Sequence, residues 1–237
     1  MLSYKEVRQA LSYAINKKEI VNTIYAGKYA VADYPLEYGS YLYTKNEEYN
    51  QYNQDKAKQI LQMNGWEYRS GVWQKKEGYS TIRLRLTLVV NSNNETRVKI
   101  ANLIKNNLED LGIPVTITAV KDTTYENYLK NKNYDILFTG VTVGLSPSLE
   151  RYFGEENLAN IENTEAKEIQ KELLSITDEK TRKEKYERLQ KIYEEERPYI
   201  GLYFSKTTTI YATRLSATIG SNWYNPFYNI ENWHRKN

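Results

Sequence analysis

The sequence predicts an α/β fold, and three observations carry that prediction. Ile82, Leu84, Leu86, Leu88 and Val90 alternate with other residues, which is the period of a strand. Val115, Ile117 and Ala119 repeat the pattern, and Tyr134-Asp135-Ile136-Leu137-Phe138-Thr139 is a short apolar run of strand length. Between them lie helical stretches: Val98, Ala101, Ile104, Leu108 and Leu111 on one face, then Tyr125 to Lys130. Strand–helix–strand–helix–strand connections are right-handed and build a parallel sheet.

The carboxyl ends of such strands are where an open parallel sheet presents its ligand surface. Here they are Asn91-Ser92-Asn93, Lys121-Asp122-Thr123 and Thr139-Gly140-Val141-Thr142. The third strand breaks at Gly140 into small, hydroxylated residues and stops at Pro147, which suits backbone and hydroxyl contacts to a ligand. The plainer reading is a connecting loop. If strands one and three are neighbours, an Asn/Ser loop leading into a helix lies beside the Gly/Thr loop.

The remaining elements follow in order. Ser3 and Glu6 have capping-box spacing before a helix with Val7, Ala10, Leu11, Ala14, Ile15, Val21 and Ile24 on one face, ended at Gly27. Residues 28–53 form a long aromatic loop, of a length that is usually functional or disordered, and its aromatic content argues against disorder. Asp55 to Met63 is a short helix closed by Asn64-Gly65, and Trp66 to Trp73 is a hairpin turning near Arg69-Ser70-Gly71. Lys75 to Gly78 read as a charged connection, and Ser92 with Glu95 as a second capping box. Leu149 to Phe153 precede a turn at Gly154. Ala166, Ile169 and Leu173 mark one helix, and Asp178 caps another with a stripe of Tyr186, Leu189, Ile192 and Tyr193, stopped by Pro198. Tyr199 to Phe204 and Thr208 to Tyr211 read as strands before an aromatic tail.

Composition narrows the function. A chain of 237 residues with 40% hydrophobic and 27% charged residues can bury a real core. Its charge of +3, from 33 basic and 30 acidic residues, is too balanced for a nucleic-acid groove. No apolar run approaches the roughly 20 residues of a membrane span. There is no cysteine and one histidine, His234, so thiolate chemistry is excluded and a Ser-His-Asp arrangement or multi-histidine metal site is disfavoured. No metal or other cofactor is expected. The 23 tyrosines suit either a ligand- or partner-facing surface or a general compositional bias. No basic and apolar leader opens the chain, so an export signal would lie upstream.

Four segments together resemble one family. They are Val7-Arg8-Gln9-Ala10-Leu11-Ser12-Tyr13-Ala14-Ile15-Asn16-Lys17 with Ile20-Val21, Asp55 to Leu61 with Asn64-Gly65-Trp66, Tyr134-Asp135-Ile136 with Gly140, and Glu196-Arg197-Pro198-Tyr199-Ile200. In this order they look like the C-terminal half of the family 5 extracellular solute-binding proteins, the oligopeptide, dipeptide and nickel-binding group. The resemblance implies a periplasmic-binding-protein-like (type II) second lobe, a mixed sheet with flanking helices. It assigns 1–205 to that lobe and 206–237 to a terminal strand and aromatic tail returning toward a first lobe. It also implies a lipid-anchored protein outside the cytoplasmic membrane. The implied partners are a peptide or small-molecule solute, an ABC importer permease and an N-terminal lobe, with no nucleic acid and no enzyme activity.

In peptide-binding members the loop after the Tyr-Asp strand carries Gly-Trp and then an aspartate for the peptide's amino group. Here the Trp position is Val141, and no acidic residue occurs between Gly140 and Pro147. A buried ammonium needs a paired charge, so either the ligand lacks it or another carboxylate supplies it. The candidate ligand contacts are Thr139, Gly140, Val141 and Thr142, the amides of Asn91 and Asn93, and Tyr38 and Tyr41 for stacking. Two other readings stand beside transport. One is a tyrosine-rich interaction or adhesion module. The other is a hydrolase with paired carboxylates, for which Glu155 and Glu156 exist but nothing places two across a cleft.

Overall fold

The computed structural model describes residues 1–237 apart from 37–38, 46–50, 143–147, 156, 161, 207, 217–224, 226 and 236–237. The chain opens with α1 (Lys5–Ala14) and α2 (Lys17–Tyr25). The apolar pattern through this stretch suggests one helix, but Ile15 turns extended and the Asn16 side chain accepts from the Glu19 N–H, starting a second helix. Asn107 holds the break from outside by accepting the Asn16 N–H at 2.8 Å. The Ser3 capping box does not form, because the cap is Tyr4, without a side-chain bond. Glu6 turns instead to Trp66 Nε1 and Lys75 Nζ.

After β1 (Ala30–Val31) and α3 (Gln54–Met63), an antiparallel meander follows: β2 (Glu67–Arg69), β3 (Val72–Glu77) and β4 (Ser80–Arg83). Its first turn sits where Ser70 and Gly71 take positive φ (52° and 79°), as predicted. Lys75, Lys76 and Glu77 are not a connection but pair in register with β4. The alternating run from Ile82 to Val90 is two strands. Ile82 lies in β4, while Leu86 opens β5 (Leu86–Asn91) in another sheet. Alternation continues across the break because Leu84 and Leu86 both enter the same core.

The parallel sheet is built from β5, β6 (Val115–Val120) and β7 (Ile136–Leu137), with α4 (Glu95–Asp110) and α5 (Asp122–Asn131) as the crossovers. The order is β6-β5-β7, so the first and third strands are neighbours. β7 is shorter than the apolar run suggests. Its edges are pinned by side chains, with Asp135 accepting the Thr87 N–H at 2.8 Å and the Tyr125 hydroxyl donating to the Phe138 carbonyl at 2.9 Å. The Ser92 capping box is replaced by Asn94, which accepts the Arg97 N–H.

The chain continues through α6 (Glu150–Phe153), α7 (Thr164–Leu173) and α8 (Glu179–Glu196) to β8 (Tyr203–Phe204), which pairs antiparallel with β1. Asp178 caps α8 as predicted, and Arg197 ends it in the left-handed region. The strand expected over Thr208–Tyr211 is absent from the described residues there. The tail pairs β9 (Leu215–Ser216) with β10 (His234–Arg235) instead.

Buried residues form two cores. The first packs α1, α2 and α3 against the parallel sheet, α4 and the meander, around Leu61, Leu84, Leu88, Ile100 and Leu108. The second gathers Tyr34, Leu42 and Phe153 with Ile169, Tyr186, Leu189 and Tyr193. Arg8 links the two, with Nε donating to the Glu196 carbonyl at 2.7 Å and Nη2 to the Glu196 carboxylate at 3.0 Å. Lys17, buried, donates to the Ala32 carbonyl beside the equally buried Asp33. Gly201 is needed here, because a Cβ would stand 3.2 Å from the Asp33 carbonyl oxygen. No helix among the described residues is long and apolar enough to cross a membrane.

Candidate strand-end ligand face

The parallel order brings three loops together at the carboxyl ends of the strands. From β5 come Asn91 and Asn93, whose amides donate to the two oxygens of Asp122 at 2.6 and 2.5 Å. Asn91 Oδ1 in turn accepts the Asn93 N–H at 2.8 Å. The two amide bonds hold the Asp122 carboxyl below its usual range, so it stays ionised. This closed arrangement spends an N–H of each candidate amide on Asp122 and the Asn91 carbonyl on the Asn93 backbone.

From β7 come Thr139 and Val141, half-buried, and Gly140 and Thr142, exposed. Beside them stands Arg97, in the first turn of α4. A Cβ on Gly140 would lie 3.0 Å from Arg97 Nη2, so the absent side chain is what admits the guanidinium. The guanidinium also sits 6.0 Å from the centre of the Phe138 ring. It is half-buried and forms no ion pair among the described residues.

A tyrosine platform completes the face. α2 starts against Asn107, toward the C-terminal end of α4, and packs against that helix. Tyr25 stacks on Tyr29 with ring centres 4.1 Å apart and 19° between planes. Its hydroxyl donates to that of Tyr203 at 2.9 Å. Burial, then the Tyr25 bond, pushes the Tyr203 hydroxyl well above its usual range, while the Arg97 charge pulls the other way. Tyr203 therefore keeps its proton throughout the physiological range.

Of the candidate residues, the fold brings Thr139, Gly140, Val141, Thr142, Asn91 and Asn93 to one edge. Tyr41 is exposed and stands near Tyr186 of α8, among the second core's residues. Tyr38 lies outside the described residues. Arg97, Tyr25, Tyr29 and Tyr203 escape sequence reading. Arg97 sits on a helix whose charged residues look like a solvated face, and Tyr203 lies far along the chain from Tyr25 and Tyr29. Many of the tyrosines serve the core: Tyr13, Tyr34, Tyr125, Tyr186 and Tyr193 are buried. Glu155 is ion-paired with Lys167 and Lys171 on the surface. Among the described residues no cluster of three or more histidine or acidic side chains could hold a metal ion.

Residues 1–155 match the model of the bacterial extracellular solute-binding proteins, family 5 (middle region), and the chain belongs to that family. It is 28% identical over 243 residues to the oligopeptide-binding protein AppA of Bacillus subtilis, covering 97% of this chain and 44% of that one. It is 26% identical to heme-binding protein A of Haemophilus influenzae, covering 95% and 41%.

The solved structure of Bacillus subtilis AppA, in complex with a nonapeptide, matches all of this chain and 48% of that one, with a TM-score of 0.74 at 27% identity. An oligopeptide-binding protein from Thermus thermophilus, complexed with a pentapeptide, matches 86% of this chain and 38% of that one. Its TM-score is 0.76 at 21% identity, a likeness of fold. The chain thus spans under half the length of the relatives it matches. The α/β periplasmic-binding-protein type read from the sequence is the fold observed.

Proposed function

We propose that this chain is the second lobe of the solute-binding component of an ABC importer, and that its strand-end face forms one wall of the solute cleft. The single observation that carries the reading is the convergence of the β5, β6 and β7 loops with Arg97 and the Tyr25–Tyr29–Tyr203 platform. Family membership and the peptide complexes of its relatives support a peptide or similar small solute. The first lobe supplies the opposing wall, and closure between lobes brings the contacts together. The tail from 206 onward returns toward that first lobe. Its exposed Ile210, Phe227, Tyr228 and Ile230 supply apolar surface for such a contact. The permease is the further partner, and the working location is outside the cytoplasmic membrane, with a lipid anchor upstream of this chain.

The protein binds and releases without chemistry. Turnover of any bound peptide would remove that part of the reading. The direct test is thermal unfolding of the two-lobed protein against peptides, sugars, amino-acid derivatives and metal chelates. A ligand that binds only the folded state raises stability by RT ln(1 + [L]/Kd). A shift with one class names the solute, whereas a flat response across the panel favours an interaction module built on the tyrosine-bearing surface.

A further inference from the structure

We infer that the group this face selects is a carboxylate, held by Arg97 with the Tyr25–Tyr203 hydroxyl pair and backed by the stacked Tyr25–Tyr29 rings. The inference deepens the solute-binding reading above and rests on it.

Three observations carry the inference. A guanidinium that makes no ion pair of its own at a ligand face can take an anion. Arg97 is such a group among the described residues, and its surroundings are an aromatic ring and a glycine rather than a carboxylate. The planar fork of a guanidinium matches the two oxygens of a carboxylate, a pairing a neutral amide cannot reproduce.

The β7 loop also offers nothing for a cation. From Gly140 to Pro147 it holds only Gly, Val, Thr, Leu, Ser and Pro, with no acidic residue. Asp122, which follows the far strand β6, already accepts from two amides of the β5 loop. Two strand spacings, about 10 Å, separate β6 from β7. The charged group placed against Gly140 is the Arg97 guanidinium.

Finally, the hydroxyls of Tyr25 and Tyr203 pair at 2.9 Å, a bond that uses one of their two protons and leaves the other free to donate. Tyr25 and Tyr29 form a flat surface on which an aromatic or apolar group next to the carboxylate can rest. A peptide would thus meet this lobe with its C-terminal end, and an N-terminal ammonium would play no part here.

The test is saturation-transfer NMR on the 237-residue chain, a method suited to the weak binding of half a cleft. The probes are the tripeptide Ala-Ala-Phe, its C-terminal amide and its N-acetyl form. The free acid and the N-acetyl acid should bind alike, and the amide at least about tenfold more weakly, as expected for loss of a charged hydrogen-bonded pair. Arg97→Gln should abolish the acid-over-amide preference, with Arg97→Lys keeping part of it, while the melting curves stay unchanged. Equal binding of acid and amide, or loss of binding on N-acetylation, would overturn the carboxylate assignment and leave the solute-binding reading standing. No signal from any probe would count against both.

Discussion

The two cores of the molecule are built from different chemistry. The first is mainly aliphatic, with the rings of Tyr13, Trp66, Trp73 and Phe138 among it, and wraps a parallel sheet; Leu61, Leu84, Leu88, Val90, Ile100 and Leu108 are fully enclosed there. The second adds to its aliphatic residues a connected run of tyrosine rings: Tyr34 packs edge-on to Tyr193 at 5.3 Å, Tyr193 lies 4.9 Å from Tyr199, and Tyr199 lies 4.8 Å from Tyr152. Arg197 completes it, 5.0 Å from the Tyr193 ring centre. Aliphatic packing has no polar tip to satisfy, so it tolerates only shape. A tyrosine core must also place hydroxyls and charges, which ties it to its neighbours by specific bonds. The difference teaches where each region should fail.

The largest effect belongs to the aliphatic core. Leu88→Ala, at the centre of β5, should cost about 3 kcal/mol through lost contacts and the cavity left behind, read as a fall in the denaturation midpoint. A loss under about 1 kcal/mol would mean the sheet is not packed as described.

The junction between the cores should respond to pH. Burial pushes the Lys17 ammonium down to about 7, with Arg197 adding to the effect and Asp33 opposing it. The unfolded chain holds that proton up to about 10.4. Above pH 7 the unfolded state binds more protons than the folded one, so stability rises with pH. Between pH 7 and 9 the gain should reach about 2 kcal/mol at most. Lys17→Met should flatten that slope in denaturation curves taken at several pH values, and an unchanged slope would assign it to another group.

Smaller effects sharpen the contrast. Tyr193→Phe keeps the ring and removes the hydroxyl, so it should cost about 1 kcal/mol, far less than Leu88→Ala. Asn16→Ala removes the cap that starts α2 and should cost a similar ~1 kcal/mol. Arg188→Ala breaks a bidentate pair with Glu165 at 2.6 Å, but both groups are well exposed, so the change should stay under about 0.5 kcal/mol.

The same contrast explains what was legible in the sequence. Periodic aliphatic residues announce β5, α4 and β6, and Asp178, Asn64-Gly65 and Gly112 mark ends that the structure keeps. Two capping boxes misled, because Tyr4 and Asn94 stand where Ser3 and Ser92 have the right spacing but not the bond. The run from Ile82 to Val90 misled because one core receives both of its halves. At the candidate face, the strand-end loops could be read from topology. Arg97, Tyr25, Tyr29 and Tyr203 could not, since they meet only through the packing of α2 against α4 and of β8 on β1.

The central claim is that the carboxyl ends of β5, β6 and β7 face the solute. Backbone-amide NMR of the chain, titrated with a short free-acid peptide, tests it most directly. The account predicts shifts concentrated at Asn91–Arg97, Thr139–Thr142 and Tyr203. Shifts confined to the α7–α8 surface or to the tail would contradict it.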